Sequence, residues 1–171
     1  MTTKPSVLLI RPDFFQDRMF QNDYSIPPIG LLFLTSYLKK LSPEIPVEIL
    51  DMRTVKNLTE FESILREKQP TIVGFTAFTF EIDFVKEYTR VARNVLPESF
   101  MVLGGPHANA YKDLLLDEIP ELDFVVVGEG EITFHELVNA CKEGTISWND
   151  RDNSIAGLYY RKKDGQVSNN D

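Results

Sequence analysis

The chain has 171 residues, 43% of them hydrophobic, with 18 Lys and Arg against 26 Asp and Glu and a formal net charge of −8. That length and apolar content suffice for one domain with its own core, while the acidic balance argues against a nucleic-acid surface, which needs cations in excess. A single cysteine, Cys141, excludes an internal disulfide and any site built on several thiolates.

Only a short apolar run precedes Arg11, unlike a signal peptide, and no stretch is long and apolar enough to span a bilayer; a cytoplasmic protein is expected. "SVLLI" (6–10) is continuously apolar, as in a strand buried on both faces. The segment 11–27 is long for a strand-to-helix connection and carries Phe14, Phe15, Phe20 and Tyr24, which either pack locally or wall a ligand. "PIGLLFLTSYLKKL" (28–41) reads as a helix with Pro28 in its first turn and Lys39 and Lys40 in its last. "PVEILDM" (46–52) alternates like an outer strand, and "LTEFESILREK" (58–68) is an amphipathic helix with Thr59 as its expected cap.

"TIVGFTA" (71–77) is a further buried strand, followed by the helix "EIDFVKEYTRVARNVL" (81–96). In the segment "GFTAFTF" (74–80) Gly74 permits close approach, and Thr76 and Thr79 offer hydroxyls that either cap the helix or meet a ligand. The strand "FMVLGG" (100–105) ends in two glycines, then Pro106 and His107, then a short helix "NAYKDLLLDE" (109–118). Adjacent glycines at a strand end suggest that something comes close to the backbone. His107 reads either as a loop histidine with an internal partner or as a metal ligand. "DFVVVG" (123–128) is a strand leading to the helix "EITFHELVNACKEG" (131–144), which Gly144 ends. Gly128 and Gly130 form the intervening turn, and Glu129 and Glu131 sit at the positive helix start, where they would repel a phosphate. Cys141 reads as a buried, inert thiol. "SIAGLYYRKKDGQVS" (154–168) is a hairpin with an Asp164–Gly165 turn, and the final "NND" is expected to lack structure.

Strand–helix units in series imply an α/β fold: a doubly wound parallel five-stranded sheet in the flavodoxin-like order 2-1-3-4-5. Residues 1–150 make this domain, and 151–171 add a β-hairpin and the start of a linker. Ligands of such sheets sit beyond the C-terminal strand ends. Here the first strand runs into Arg11-Pro12-Asp13, without the G-x-G-x-x-G of dinucleotide sites, and no G-x-x-x-x-G-K-[ST] phosphate loop occurs. No Ser-His-Asp or Cys-His set falls on the strand ends.

"PPIGLLFLTSYLKK", "IVGFTAFTFE", "VLGGPHA" and "DFVVVGEGEITFHEL", in this order, resemble the N-terminal cobalamin-binding domain of B12-dependent radical S-adenosylmethionine enzymes, such as anaerobic magnesium-protoporphyrin ester cyclases and related C-methyltransferases. The resemblance covers about residues 5–168. It implies a corrin ring across the strand ends and a nucleotide tail in the cleft beside them. Gly104 and Gly105 match the family's double glycine, Gly74 and Thr76 its G-x-[ST] segment, and Gly128, Glu129 and Gly130 its last motif. Pro12, Thr79, Pro106 and His107 complete the implied contact set. Methionine-synthase-like relatives carry D-x-H-x-x-G after the first strand, whereas this chain reads Asp13-Phe14-Phe15-Gln16-Asp17. The resemblance therefore implies a histidine-off site, with Phe14 or Phe15 under the ring and neither His107 nor His135 on cobalt. A bulky residue at Gly105 is expected to block the tail channel and leave the fold intact.

The radical class also needs C-x-x-x-C-x-x-C for a [4Fe–4S] cluster, which one cysteine cannot supply. The cluster and S-adenosylmethionine are then expected in a C-terminal radical domain of a longer parent, which is the expected partner. Two other readings fit the same fold: an interaction domain that has lost the cofactor, and a flavin-binding module.

Overall fold

The structure, a computed structural model, describes residues 5–13, 27–147, 150–151, 153–162 and 164–170. One sheet contains β1 (Val7–Arg11), β2 (Val47–Asp51), β3 (Ile72–Thr76), β4 (Phe100–Gly104), β5 (Phe124–Val126), β6 (Leu158–Arg161) and β7 (Val167–Asn170). The helices are α1 (Ile29–Leu41), α2 (Leu58–Lys68), α3 (Ile82–Val95), α4 (Pro106–Tyr111), α5 (Leu114–Glu118) and α6 (Glu131–Glu143). The strand order is β2-β1-β3-β4-β5-β6-β7. The first five strands are parallel in the expected order, with β2 at the edge. The sheet has seven strands rather than five because the C-terminal hairpin pairs antiparallel with β5, Val125 opposite Tyr159. It thereby satisfies backbone groups that an open β5 edge would leave unpaired.

Helices cover both faces of the sheet, which is why its central strands are apolar throughout. Leu8, Ile10, Val73, Phe75, Met101, Leu103 and Val125 point to one side, against Phe61 and Leu65 of α2 and Val85 and Ala92 of α3. Val7, Leu9, Ile72, Val102, Phe124 and Val126 point to the other, against Leu31 and Leu38 of α1 and Phe134, Leu137 and Val138 of α6. The two-residue period of a strand then puts Gly74 and Gly104 on the α1/α6 face.

Some local expectations change. Asn57, not Thr59, caps α2: its side-chain oxygen accepts from the Glu60 N–H at 2.9 Å. The helix expected over 109–118 is two helices, divided where Lys112 takes φ +50; this bend turns Leu115 and Leu116 into the core. Asn169 and Asn170, expected to lack structure, lie in β7 opposite Tyr159 and Leu158.

At the N-terminal end of the strands one buried carboxylate gathers three elements. Asp123 accepts from the Met101 N–H (2.8 Å) and Arg93 (2.6 Å) on one oxygen, and from Arg151 (2.9 Å) on the other. Arg93 also donates to the carbonyls of Pro97, Ser99 and Glu121.

Cys141, expected to be buried, is only partly so, yet desolvation still pushes its thiol up to about 12, and burial pushes the Tyr88 hydroxyl up to about 12. Native protein is therefore expected to resist iodoacetamide at pH 8 and to react once unfolded, because the thiolate is the nucleophile. Both groups hold their protons more tightly when folded. The stability this contributes is complete below the ordinary thiol value of 9.0 and is lost as pH rises from there to about 12. Urea midpoints are expected to fall over that range, less steeply in Cys141→Ala; equal slopes would contradict the assignment to the thiol.

Candidate functional site

Near the C-terminal ends of the strands, the α1/α6 face of the sheet is short of side chains. Gly74 lies in register with Leu9 and Val102, and Gly104 with Thr76. Above them α1 brings Gly30 in its first turn, and Gly130 precedes α6. Between sheet and helices lies a cleft of about 110 Å³, walled by Leu9, Leu31, Leu34, Val102, Val126 and Phe134. Among the described residues its polar side chains are Thr76 and Glu129, and none is Lys or Arg. Such a lining suits an uncharged, largely apolar insert.

The two adjacent glycines have different physical roles. Gly105 adopts φ +93, and a Cβ there would lie 2.5 Å from Thr76 Oγ1 and 3.2 Å from the Ala77 nitrogen. The exit of β4 is pressed onto the exit of β3: the His107 N–H donates to the Ala77 carbonyl (3.0 Å) and the Ala77 N–H to the Gly104 carbonyl (3.3 Å). Glycine at 105 is thus a demand of the fold, which corrects the expectation that a bulky residue there leaves the fold intact. At Gly104 a Cβ would meet, among the described residues, only Val126, at 3.9 Å. At Gly74 the space is already taken by Leu9 Cδ2, 2.8 Å from the position of a Cβ.

Of the residues singled out in the sequence, Gly74, Thr76, Gly104, Gly105, Gly128, Glu129 and Gly130 line the cleft, and Pro12, Thr79, Pro106 and His107 do not. Pro12 is buried after β1, while Thr79 and Pro106 are exposed. Phe14 and Phe15, like Phe20 and Tyr24, lie outside the described residues.

Neither histidine lines the cleft. His107 is buried at 3% exposure, its Nδ1 is 3.2 Å from Thr79 Oγ1, and its ring lies 4.3 Å from that of Tyr111. Its Nε2 has no partner among the described residues. A proton on Nε2 would be a buried, unsatisfied donor, so the arrangement suits the neutral ring with Nδ1–H donating to Thr79. Burial lowers its pKa in the same sense. His135 instead joins α6 to the end of α1: its Nε2 faces Asn139 Nδ2 at 2.9 Å and Ser42 Oγ at 3.2 Å.

Several contributors escaped the sequence reading. Gly30, Leu31, Leu34 and Phe134 reach the cleft only because α1 and α6 lie side by side over the sheet. Gly30 did leave a signal, since glycine inside a helix costs about 1 kcal/mol relative to alanine and calls for a reason. Thr35, one turn beyond Leu31 on α1, has a buried hydroxyl with no partner among the described residues. Phe78 and Phe80 stack at 5.6 Å while remaining 53% and 59% exposed.

Comparison with known proteins accords with this geometry. Residues 20–138 match the B12 binding domain family. The chain is 35% identical over 144 residues to an uncharacterised methyltransferase of Pyrococcus horikoshii, an alignment covering 84% of this chain and 29% of that protein. It is 33% identical over 150 residues to the anaerobic magnesium-protoporphyrin IX monomethyl ester cyclase of Cereibacter sphaeroides, covering 84% and 23%. Among solved structures, the radical S-adenosylmethionine methyltransferase TsrM of Kitasatospora setae, with cobalamin and a [4Fe-4S] cluster bound, superposes with a TM-score of 0.74 at 25% identity, over 95% of this chain and 28% of that one. The chain spans less than a third of the length of each. Among the described residues, no helix is long and apolar enough to cross a membrane. The parallel sheet, the glycine-floored cleft at its C-terminal end and the match over most of the chain lead to one assignment: this chain belongs to the B12-binding domain family.

Proposed function

We propose that the chain is the cobalamin-binding module of a B12-dependent radical S-adenosylmethionine enzyme, such as a magnesium-protoporphyrin ester cyclase or a C-methyltransferase, and is not catalytically competent alone. The observation that carries this reading is the cleft between sheet, α1 and α6, with glycines from β3, β4, the turn after β5 and the start of α1. Gly30, Gly104, Gly128 and Gly130 would admit the uncharged base at the end of the nucleotide tail, with the tail's phosphate left outside the apolar lining. Leu9, Leu31, Val126 and Phe134 would exclude water around it, and Thr76 would offer a hydroxyl. When bound, cobalamin supplies a redox-active cobalt ion for methyl transfer or radical chemistry.

One cysteine leaves no means of holding a [4Fe–4S] cluster, so cluster and S-adenosylmethionine would belong to a radical domain elsewhere in the parent chain. Phe33, Phe78, Phe80 and Ile132, all more than half exposed near the C-terminal end of the sheet, support the reading that this end is covered in the working protein. The parent would act in the cytoplasm.

Hydroxocobalamin titration tests the reading. A shifted corrin spectrum and one-to-one retention on a desalting column are expected, while a flavin passes through. Electron paramagnetic resonance of the cob(II)alamin-loaded chain is expected to show no nitrogen splitting that depends on His107. Free passage of hydroxocobalamin through the column would remove the proposal.

A further inference from the structure

We infer that Asn109 is a positioning residue that holds the turn Gly128–Gly130 at the cleft in the shape that receives a ligand; the inference rests on the cobalamin reading.

The turn has little to order it locally. Gly128 and Gly130 take φ +97 and +88, a Cβ at Gly128 would touch nothing within 4 Å among the described residues, and the N-cap of α6, Gly130, has no side chain to cap it. Glycines of this kind leave a segment many accessible conformations. Yet Gly128, Glu129 and Gly130 together form one side of the cleft.

Asn109 supplies the missing constraint from another element. Its Oδ1 accepts the Gly128 N–H at 2.8 Å, and its Nδ2 donates to the Gly128 carbonyl at 3.4 Å. One amide thus grips both polar groups of one glycine, as a neighbouring strand would. The helix carrying Asn109 is itself anchored on the opposite side. The His107 N–H donates to the Ala77 carbonyl at 3.0 Å, and His107 Nδ1 faces Thr79 Oγ1 at 3.2 Å. Helix α4 therefore spans from the exit of β3 to the exit of β5 and sets the distance between them. Asparagine is a poor helix former, so its place on an exposed helical turn gains from this cross-link. A turn ordered before binding spares the ligand the entropy of ordering it.

The test uses the isotope-labelled 171-residue chain and two corrinoids, hydroxocobalamin and cobinamide, which lacks the nucleotide tail. In Asn109→Ala the Gly128 amide is expected to exchange about tenfold faster, and hydroxocobalamin to bind about tenfold more weakly. Cobinamide affinity is expected to change less than about twofold, because the turn lies beside the tail in this reading. Asn109→Asp, which keeps an acceptor for the Gly128 N–H, is expected to restore the slow exchange. Unchanged Gly128 exchange in Asn109→Ala would overturn the inference. So would parallel losses for both corrinoids with a lowered melting temperature, which mark a merely structural role. If the unsubstituted chain retains hydroxocobalamin and Asn109→Ala retains it equally, the positioning role alone falls. If the unsubstituted chain binds no corrinoid, the cobalamin reading falls and this inference with it.

Discussion

Gly104→Leu is expected to leave the domain folded and to weaken hydroxocobalamin retention by at least about 100-fold, equivalent to about 2.7 kcal/mol. Gly105→Ala, one residue on and far smaller, is expected to do the reverse and destabilise the fold by about 3 kcal/mol. At Gly104 the backbone is open to any residue, and the nearest atoms to a Cβ are those of Val126, at 3.9 Å. The rest of a leucine side chain would then occupy the cleft of about 110 Å³. At Gly105 the Cβ itself has no place, because Thr76 Oγ1 is 2.5 Å away and the residue sits at φ +93. Urea melts and corrinoid titrations on the two variants separate the effects. A Gly104→Leu chain that melts normally and still retains hydroxocobalamin would show that the tail does not use this cleft.

Asp123→Ala is expected to lower stability by about 3–5 kcal/mol, the range for removing one partner of a buried ion pair. Two guanidiniums, on Arg93 and Arg151, would remain with side chains only 20% and 14% exposed and without the carboxylate they share. The Met101 N–H in β4 would lose its acceptor as well. A chain ended at residue 150 is expected to lose at least as much, since it gives up Arg151 and uncovers the β5 edge together. Urea midpoints for both changes provide the measurement. An undiminished midpoint in the shortened chain would mean that the hairpin is a dispensable appendage; a large loss would make it part of one folding unit.

The sequence by itself determined the five-stranded parallel part of the sheet, while the pairing of the hairpin with β5 that makes it seven-stranded came from the tertiary structure. Apolar runs such as "SVLLI" and "DFVVVG" have the length and composition of strands buried on both faces, and helices with stop signals between them leave a parallel, doubly wound arrangement as the economical solution. The alternating "PVEILDM" marked the edge strand by its polar positions, of which Glu48 is exposed in the structure. The glycines at the strand ends were legible too, because a strand end stripped of side chains is costly unless something approaches. What each glycine does was not legible. Gly104 and Gly105 are neighbours of identical chemistry, and only the packing of the β4 exit on Ala77 shows that one faces open space while the other is pinned by the backbone. Gly30 and Phe134 are about a hundred residues apart, and nothing local to either announces that α1 and α6 meet over the sheet. The reach of Asn109 to Gly128, and of Asp123 to Arg93 and Arg151, likewise depends on strand order and register. Side-chain periodicity reports which face of an element is buried; the partner it meets is a property of the assembled layers, which is why the elements could be read from the chain and their cross-links could not.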